Sequence, residues 1–358
     1  MTDMAEKAIR LGGESTAGAI VSAVDSLYPE HTFEDKEFAL KHNDDEIAVD
    51  TNFAAQNFWK EALIRFFNKK SAVLGLILIV VIVLLAVFGP GMNSYTYSGQ
   101  DLSQKNFAPR VPGIERLGIL DGSEKMSTTT GSKSVNAYVE KGKDDVYYWF
   151  GSDLYGRDIW TRTWEGARVS LIIAVAAAVI DMVIGMSYGL ISGYFGGRVD
   201  MVMQRFLEVA NGIPRLVIVT LLLLVLQPGM VTIIFALMLT EWVGMSRIAR
   251  AEMLKLKDQE FVLASRTLGA GSFFIIFKEV LPNIIGPIIT QVMFSIPTAI
   301  FTEAFLSFVG LGIPVPQCSL GSLISELYNS FTTHPYQIIP PIVVMSLLML
   351  SFNLLADG

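Results

Sequence analysis

Charge is scarce in this chain of 358 residues: Asp, Glu, Lys and Arg make up 17%, against roughly a quarter in soluble domains. Much of its surface must therefore face something other than water. A basic excess is absent too, with 27 Lys+Arg against 34 Asp+Glu and a formal net charge of −7. Without a basic cluster, counterion release cannot drive nucleic-acid binding, and that class is excluded. Cysteine is reduced to Cys318, which permits no internal bridge and excludes a disulfide scaffold. His31, His42 and His334 lie in different regions, so no metal site is expected. No G-x-x-x-x-G-K run followed by Ser or Thr occurs, and Gly131-Ser-Lys-Ser134 lacks the first glycine. The chain thus has no ATP-cradling loop of its own. No Ser/His/Asp constellation marks a nucleophile.

What is present is apolar. Hydrophobic residues make up 52%, and the mean hydropathy is +0.48. Ser71 to Phe88 runs without a charge until Gly89-Pro90 ends it, long enough to cross a bilayer. Some seventy mostly polar residues precede it, which argues against a cleaved signal peptide. Five further spans are expected: Val169–Ser192, Val199–Leu226 kinked at Pro214, Met230–Ser246, a proline-interrupted run over about 281–306, and Ile338–Leu355. The chain reads as an all-α integral membrane protein with six transmembrane helices.

The positive-inside bias orients it. Lys60, Arg65, Lys69 and Lys70 precede the first span, and Arg247, Arg250, Lys255, Lys257, Arg266 and Lys278 fall between the fourth and fifth. Both ends are therefore expected in the cytoplasm. Arg157, Arg162 and Arg168 disobey the rule, standing on the outer side before span 2. With Ile159, Trp160 and Trp164 among them, Gly151–Ser170 reads as a helix lying flat on the outer leaflet.

Four regions follow. Residues 1–70 form an acid-rich tail ending in an amphipathic helix, where Phe58, Ala62 and Phe66 keep helical spacing. Residues 71–90 are span 1. Residues 91–150 form a polar extracellular insertion closed by Tyr147-Tyr148-Trp149-Phe150, an aromatic run suited to a headgroup boundary. Residues 151–358 hold the other five spans.

The loop at 250–272 carries the strongest signal. It is rich in helix formers and free of Pro and Gly until Gly269, which predicts one helix stopping there. Phe261, Ala264 and Leu268 form an apolar stripe on a charged helix. Small Ala264 and Ser265 would let a second surface approach the backbone. After Gly271, Ser272 is positioned to cap a helix returning to the membrane. The plainer reading, in which the stripe packs on neighbouring span ends, stands beside this one.

These residues resemble a known family. Phe261-Val-Leu-Ala-Ser-Arg-Thr-Leu-Gly-Ala270 followed by Val280-Leu-Pro-Asn283 is similar to the signature loop of membrane subunits of ATP-binding-cassette importers, in the oligopeptide and dipeptide permease branch, C-type. Gly151-Ser-Asp-Leu-Tyr-Gly-Arg-Asp-Ile159, Gly166–Leu171, Glu303–Gly312 and Phe352–Gly358 strengthen the likeness. In departure from the usual pattern, Leu263-Ala264-Ser265 replaces an acid-Ala-Ala triplet, and Glu279 stands where His is frequent.

The resemblance implies a type I importer permease fold and a coupling helix over about 251–271 seated in a separate ATPase, with Glu252, Glu260, Phe261, Ala264, Ser265, Arg266, Gly269 and Ala270 as contact residues. It implies a homologous second permease, two ATPase chains that bind ATP and Mg, an extracellular substrate-binding protein or lipoprotein, and a peptide substrate. This chain would hold no cofactor. Close relatives carry nickel and other small solutes. Three acids deep in spans, Asp181, Glu241 and Glu303, are candidates for the substrate path or for pairing with the second subunit. The same acids support a rival, a carrier driven by an ion gradient. A membrane sensor or scaffold using the acidic tail is a third reading.

Overall fold

The computed structural model describes residues 58–128 and 131–358. The acid-rich tail lies outside the described residues. The bundle comprises Glu61–Gly358.

Helix α1 (Phe58–Asn68) ends one residue before α2 (Lys70–Phe88). α2 is apolar all round, as a membrane helix must be. Its inner stripe is Ala72, Gly75, Ile82 and Ala86, while Leu74, Ile77, Val81 and Leu84 face outward. The small residues let α2 lie close against the last helix: a Cβ on Gly75 would meet Ser351 O at 2.7 Å.

The insertion is a small folded unit. β1 (Ser123–Thr128) and β2 (Gly131–Asn136) pair antiparallel and lead into the single turn α3 (Ala137–Glu140). This two-stranded hairpin is the one sheet among the described residues. Its core is Phe107, Tyr138 and Tyr148. The Tyr138 hydroxyl donates to Ala108 O at 2.8 Å, and Tyr148 to Gln104 Oε1 at 2.7 Å. The aromatic run Tyr147–Phe150 divides between two packing sites. Tyr148 is buried inside the insertion, and Trp149 and Phe150 pack on Trp160 at 4.7 Å, because a short insertion has few other groups with which to build a core.

α4 (Ile159–Phe195) is one helix of 37 residues. The expected flat helix at Gly151–Ser170 does not exist as such, since its second half is the first turns of span 2. Asp158 caps α4 by accepting from Thr161 N at 2.8 Å, and nothing after it breaks the backbone pattern. A π-helical turn, Asp181–Gly185, widens it midway.

α5 (Gly197–Gly212) and α6 (Arg215–Leu226) are separated at Ile213-Pro214, so the expected kink is a full break. Proline's ring and missing N–H end the first helix. α7 (Met230–Leu256) outruns the expected span by ten residues. α8 (Glu260–Thr267) follows, then α9 (Ser272–Leu311), a 40-residue helix that passes through Pro282, Pro287 and Pro297. Gly271, not Ser272, occupies its N-cap. α10 (Leu320–Tyr328) and α11 (Ile339–Ala356) complete the chain. Among the described residues five helices are long and apolar enough to span a membrane, or six if α5 and α6 count as one broken span.

The main core joins α2, α4, α7, α9 and α11 through Ile82, Ile173, Ile233, Ile300 and Leu348. A second core at the α8 end gathers Leu190, Met245, Met253, Val262, Ile276 and Ile284. Between α4 and α7 the backbones touch at a row of glycines. Gly185, Gly189 and Gly193 repeat every four residues, and a Cβ on Gly189 would lie 2.1 Å from Ser246 O. Small residues at that spacing allow close helix approach where no hydrophobic effect drives association.

Candidate functional site

α8 is bounded by a turn at one end and a glycine cap at the other. Lys257 N closes α7 on Met253 O at 2.9 Å, three residues turn the chain, and Glu260 places an acid in the first turn of α8. At the other end Gly269 takes φ +85°. Ala270 N donates to Ser265 O and Gly269 N to Arg266 O, both at 3.0 Å, which is the paired bonding of a Schellman cap. A residue with Cβ pays steric strain at that φ. The single helix expected from Ala251 is therefore two: residues 251–256 belong to α7, and the chain turns at Lys257–Gln259. That turn carries Val262 into the core between Leu190 and Ile276, a gain that an unbroken helix would forgo.

The expected contact residues separate accordingly. Glu252 sits on α7 and pairs with Lys255 at 2.6 Å, so it belongs to the root of the loop. Glu260, Phe261, Ala264, Arg266 and Gly269 are exposed, and Ser265 and Ala270 are half-buried. Leu268 is 88% exposed and Leu263 is exposed beside it. The stripe is thus turned away from the bundle, contrary to the reading in which it packs on span ends. Sequence reasoning missed Val262, the seat of the helix. Val262 and Leu263 are both apolar and out of phase with the stripe, and only packing distinguishes the buried Val262 from the exposed Leu263. Arg266 also lies over the Tyr194 ring at 5.5 Å, tying α8 to the end of α4.

A cavity of about 290 Å³ opens between α4, α5, α7 and α9, lined by Asp181, Asn211, Glu241, Arg247, Gln291 and Ser295 among others. Asp181 stands on the π turn, buried, and accepts from the Ser295 hydroxyl. Glu241 lies at the joint in α7. The two acids that sequence placed in separate spans therefore share one polar space. Glu303 lies elsewhere. It is fully buried and accepts from Ser307 at 2.7 Å, Ser170 at 3.3 Å and Ser319 at 2.5 Å. Within this chain it pins the N-terminus of α10 to α4 and α9.

At the opposite end of α4 the three rule-breaking arginines are accounted for. Arg157 Nε binds Asp153 at 2.6 Å, and Arg162 binds the same oxygen at 2.8 Å and Glu326 at 2.7 Å. Arg157 also reaches Glu326. Two guanidiniums and two carboxylates leave this cluster with no net charge. Arg168 donates to the carbonyls of Ala86 and Val87 at 3.0 and 3.1 Å, capping the end of α2. Burial alone pushes the Glu326 carboxyl upward, but Arg162 and Arg157 outweigh it and hold it below the ordinary glutamate range. A carboxyl depressed in the folded state stabilises above its unfolded pKa, and that contribution is lost as pH falls through the folded value. Acidification below the usual glutamate range is expected to loosen α10. Glu326→Gln should flatten that acid limb in a thermal-stability profile against pH, and an unchanged limb would place the acid sensitivity elsewhere.

The sequence is similar to known proteins. Residues 185–358 match the model of the binding-protein-dependent transport system inner membrane component, and residues 57–109 match the N-terminal TM domain of oligopeptide transport permease C. The chain is 41% identical to the oligopeptide transport system permease protein OppC of Bacillus subtilis, over 84% of this chain and 88% of that one. It is 38% identical to the dipeptide transport system permease protein DppC of the same organism, covering 90% and 91%. The DppC protein of Lactococcus lactis is 41% identical, covering 85% and 89%.

Proposed function

The chain belongs to the membrane-subunit family of binding-protein-dependent ABC importers, in its oligopeptide and dipeptide permease branch, and from that premise we propose that it forms half of a passage for short peptides. It is a multi-pass membrane protein and a transport subunit. A homologous second permease supplies the other half of the passage. Two ATPase chains hold the ATP and Mg, and an extracellular binding protein delivers the peptide. The basic residues around α8 support a cytoplasmic position for that end, and with it cytoplasmic termini.

The observation that carries this reading is α8: a helix capped at Gly269, seated by Val262, with Phe261, Leu263 and Leu268 turned outward and uncovered by the rest of the bundle. Closure of the ATPases would push on this helix and bias the spans between two arrangements, a shift set by differential binding. In this reading the cavity bearing Asp181 and Glu241 is the part of the passage contributed by this chain.

Leu268→Asp tests it. With 88% of its surface exposed, Leu268 contributes little to the permease fold, so the variant should purify normally. It should retain the ATPase chains about tenfold less well, as expected for loss of an apolar anchor at an interface. Gly269→Val should act in the same direction by straining the cap. Proteoliposomes decide the wider question: uptake should require ATP and the ATPases, whereas peptide movement by this chain alone down an ion gradient would overturn the reading.

The insertion is the expected landing place for the binding protein. Deleting residues 95–145 would remove Phe107, whose backbone N–H is held by Ser152 beside α4, so the deletion would damage the bundle as well. The exposed pair Leu117 and Ile119 offers a cleaner test. Changing both to Asp should weaken capture of the binding protein and leave ATPase association intact.

A further inference from the structure

Three helices converge at the root of α8. Arg250 of α7 makes a bidentate pair with Asp200 of α5, with Nε to Oδ1 and Nη2 to Oδ2 both at 2.6 Å. Ser192 of α4 donates to the same Asp200 at 2.6 Å, and Gln204 donates to Ser192 at 3.2 Å. The pair keeps 30% and 16% side-chain exposure, and an ion pair that wet contributes little stability. What a bidentate fork supplies is direction, since two parallel bonds fix both distance and angle. The glycine row packs α4 on α7 from Gly185 to Gly193, and the knot begins where that row ends. α8 is fastened to the same body by Val262 and by Arg266 over Tyr194.

We propose that Asp200 and Arg250 are positioning residues for coupling: they lock α5 to the α4–α7 pair, so that displacement of α8 moves α4, α5 and α7 as one lever. α5 also lines the cavity through Asn211, so the lever joins the ATPase contact to the passage. Without the fork, α8 and α7 still move, but α5 and its wall of the cavity lag behind. This inference rests on the coupling role of α8 given above.

The test uses the whole transporter, with both permeases, the ATPases and the binding protein, in proteoliposomes. Peptide uptake per ATP hydrolysed is the readout, because a purely structural contact would lower both together. Asp200→Asn and Arg250→Lys, which keeps the charge and loses the fork, should each assemble and hydrolyse ATP while uptake per ATP falls about tenfold. The swap of Asp200→Arg with Arg250→Asp should recover much of the ratio. A wild-type ratio in both single variants overturns the proposal.

A second measurement keeps the pair intact. The single native thiol, Cys318, is buried, so spin labels at Arg205→Cys on α5 and Lys255→Cys on α7 read one distance. That distance should stay constant between the nucleotide-free and ATP-trapped complexes, and a change in it overturns the lever. Peptide movement without any ATPase would instead remove the coupling reading beneath it.

Discussion

Replacing Arg162 by methionine is expected to cost the protein about 3 kcal/mol and most of its folded yield, because it leaves the two carboxylates of Asp153 and Glu326 against the single guanidinium of Arg157 in a site built for four charges. Arg162 has no exposed surface, and it bridges Asp153, itself 1% exposed, to Glu326. A buried pair is a poor source of net stability while intact, since desolvation cancels most of the attraction. Breaking one partner away leaves the desolvation cost without the compensation. The value sits at the lower end of the expected range because Glu326 keeps 26% exposure and water covers part of the loss. Arg162→Lys should fall between, as one ammonium reaches a single carboxylate well. Adding Glu326→Gln to Arg162→Met should recover part of the loss by restoring one guanidinium against one carboxylate. Thermal melting in detergent and the monodisperse fraction are the readouts. If the double variant were worse than the single, the charge-balance account of this cluster would fail.

Gly189→Leu is expected to be the more damaging change, costing about 3 kcal/mol or more by forcing two helices apart. The obstacle is Ser246 O, at 2.1 Å from the new Cβ, with Ala249 Cβ and Arg250 N at 2.8 Å. Backbone cannot swing aside as a long side chain does, so even Gly189→Ala should be felt. Separation at this point also pulls Arg250 from Asp200 and unseats α8, so ATPase binding should fall along with stability. Gly286→Ala is the control, with nothing within 4 Å of its added methyl. A Gly189→Leu protein that melted and bound ATPase like the control would show that α4 and α7 do not share a rigid seam.

The two changes differ in how visible they were in the sequence. Arg162 stood out as a violation of charge bias, yet its partner Glu326 is 164 residues away, and no local pattern connects them. Gly185, Gly189 and Gly193 are evenly spaced in plain view, but glycine in an apolar helix does not announce which helix it meets. Glu303 was visible as an acid deep in a span, but its bonds from Ser307 one turn on and from Ser170 and Ser319 in other segments follow no local pattern. Asp181 and Glu241 gave no sign in sequence of sharing a cavity.

The spans and the end of α8 at Gly269 were legible from sequence because each rests on short-range chemistry, and the family was legible through the likeness of its motifs. A run without charge must leave water, and a Gly after a helical pattern supplies the left-handed turn that caps it. The break at Lys257–Gln259, the neutral cluster of Arg157, Arg162, Asp153 and Glu326, the glycine seam and the fork between Asp200 and Arg250 were decided only by packing. Each depends on groups brought together from separate helices, and the free energy that selects them exists only once those helices touch.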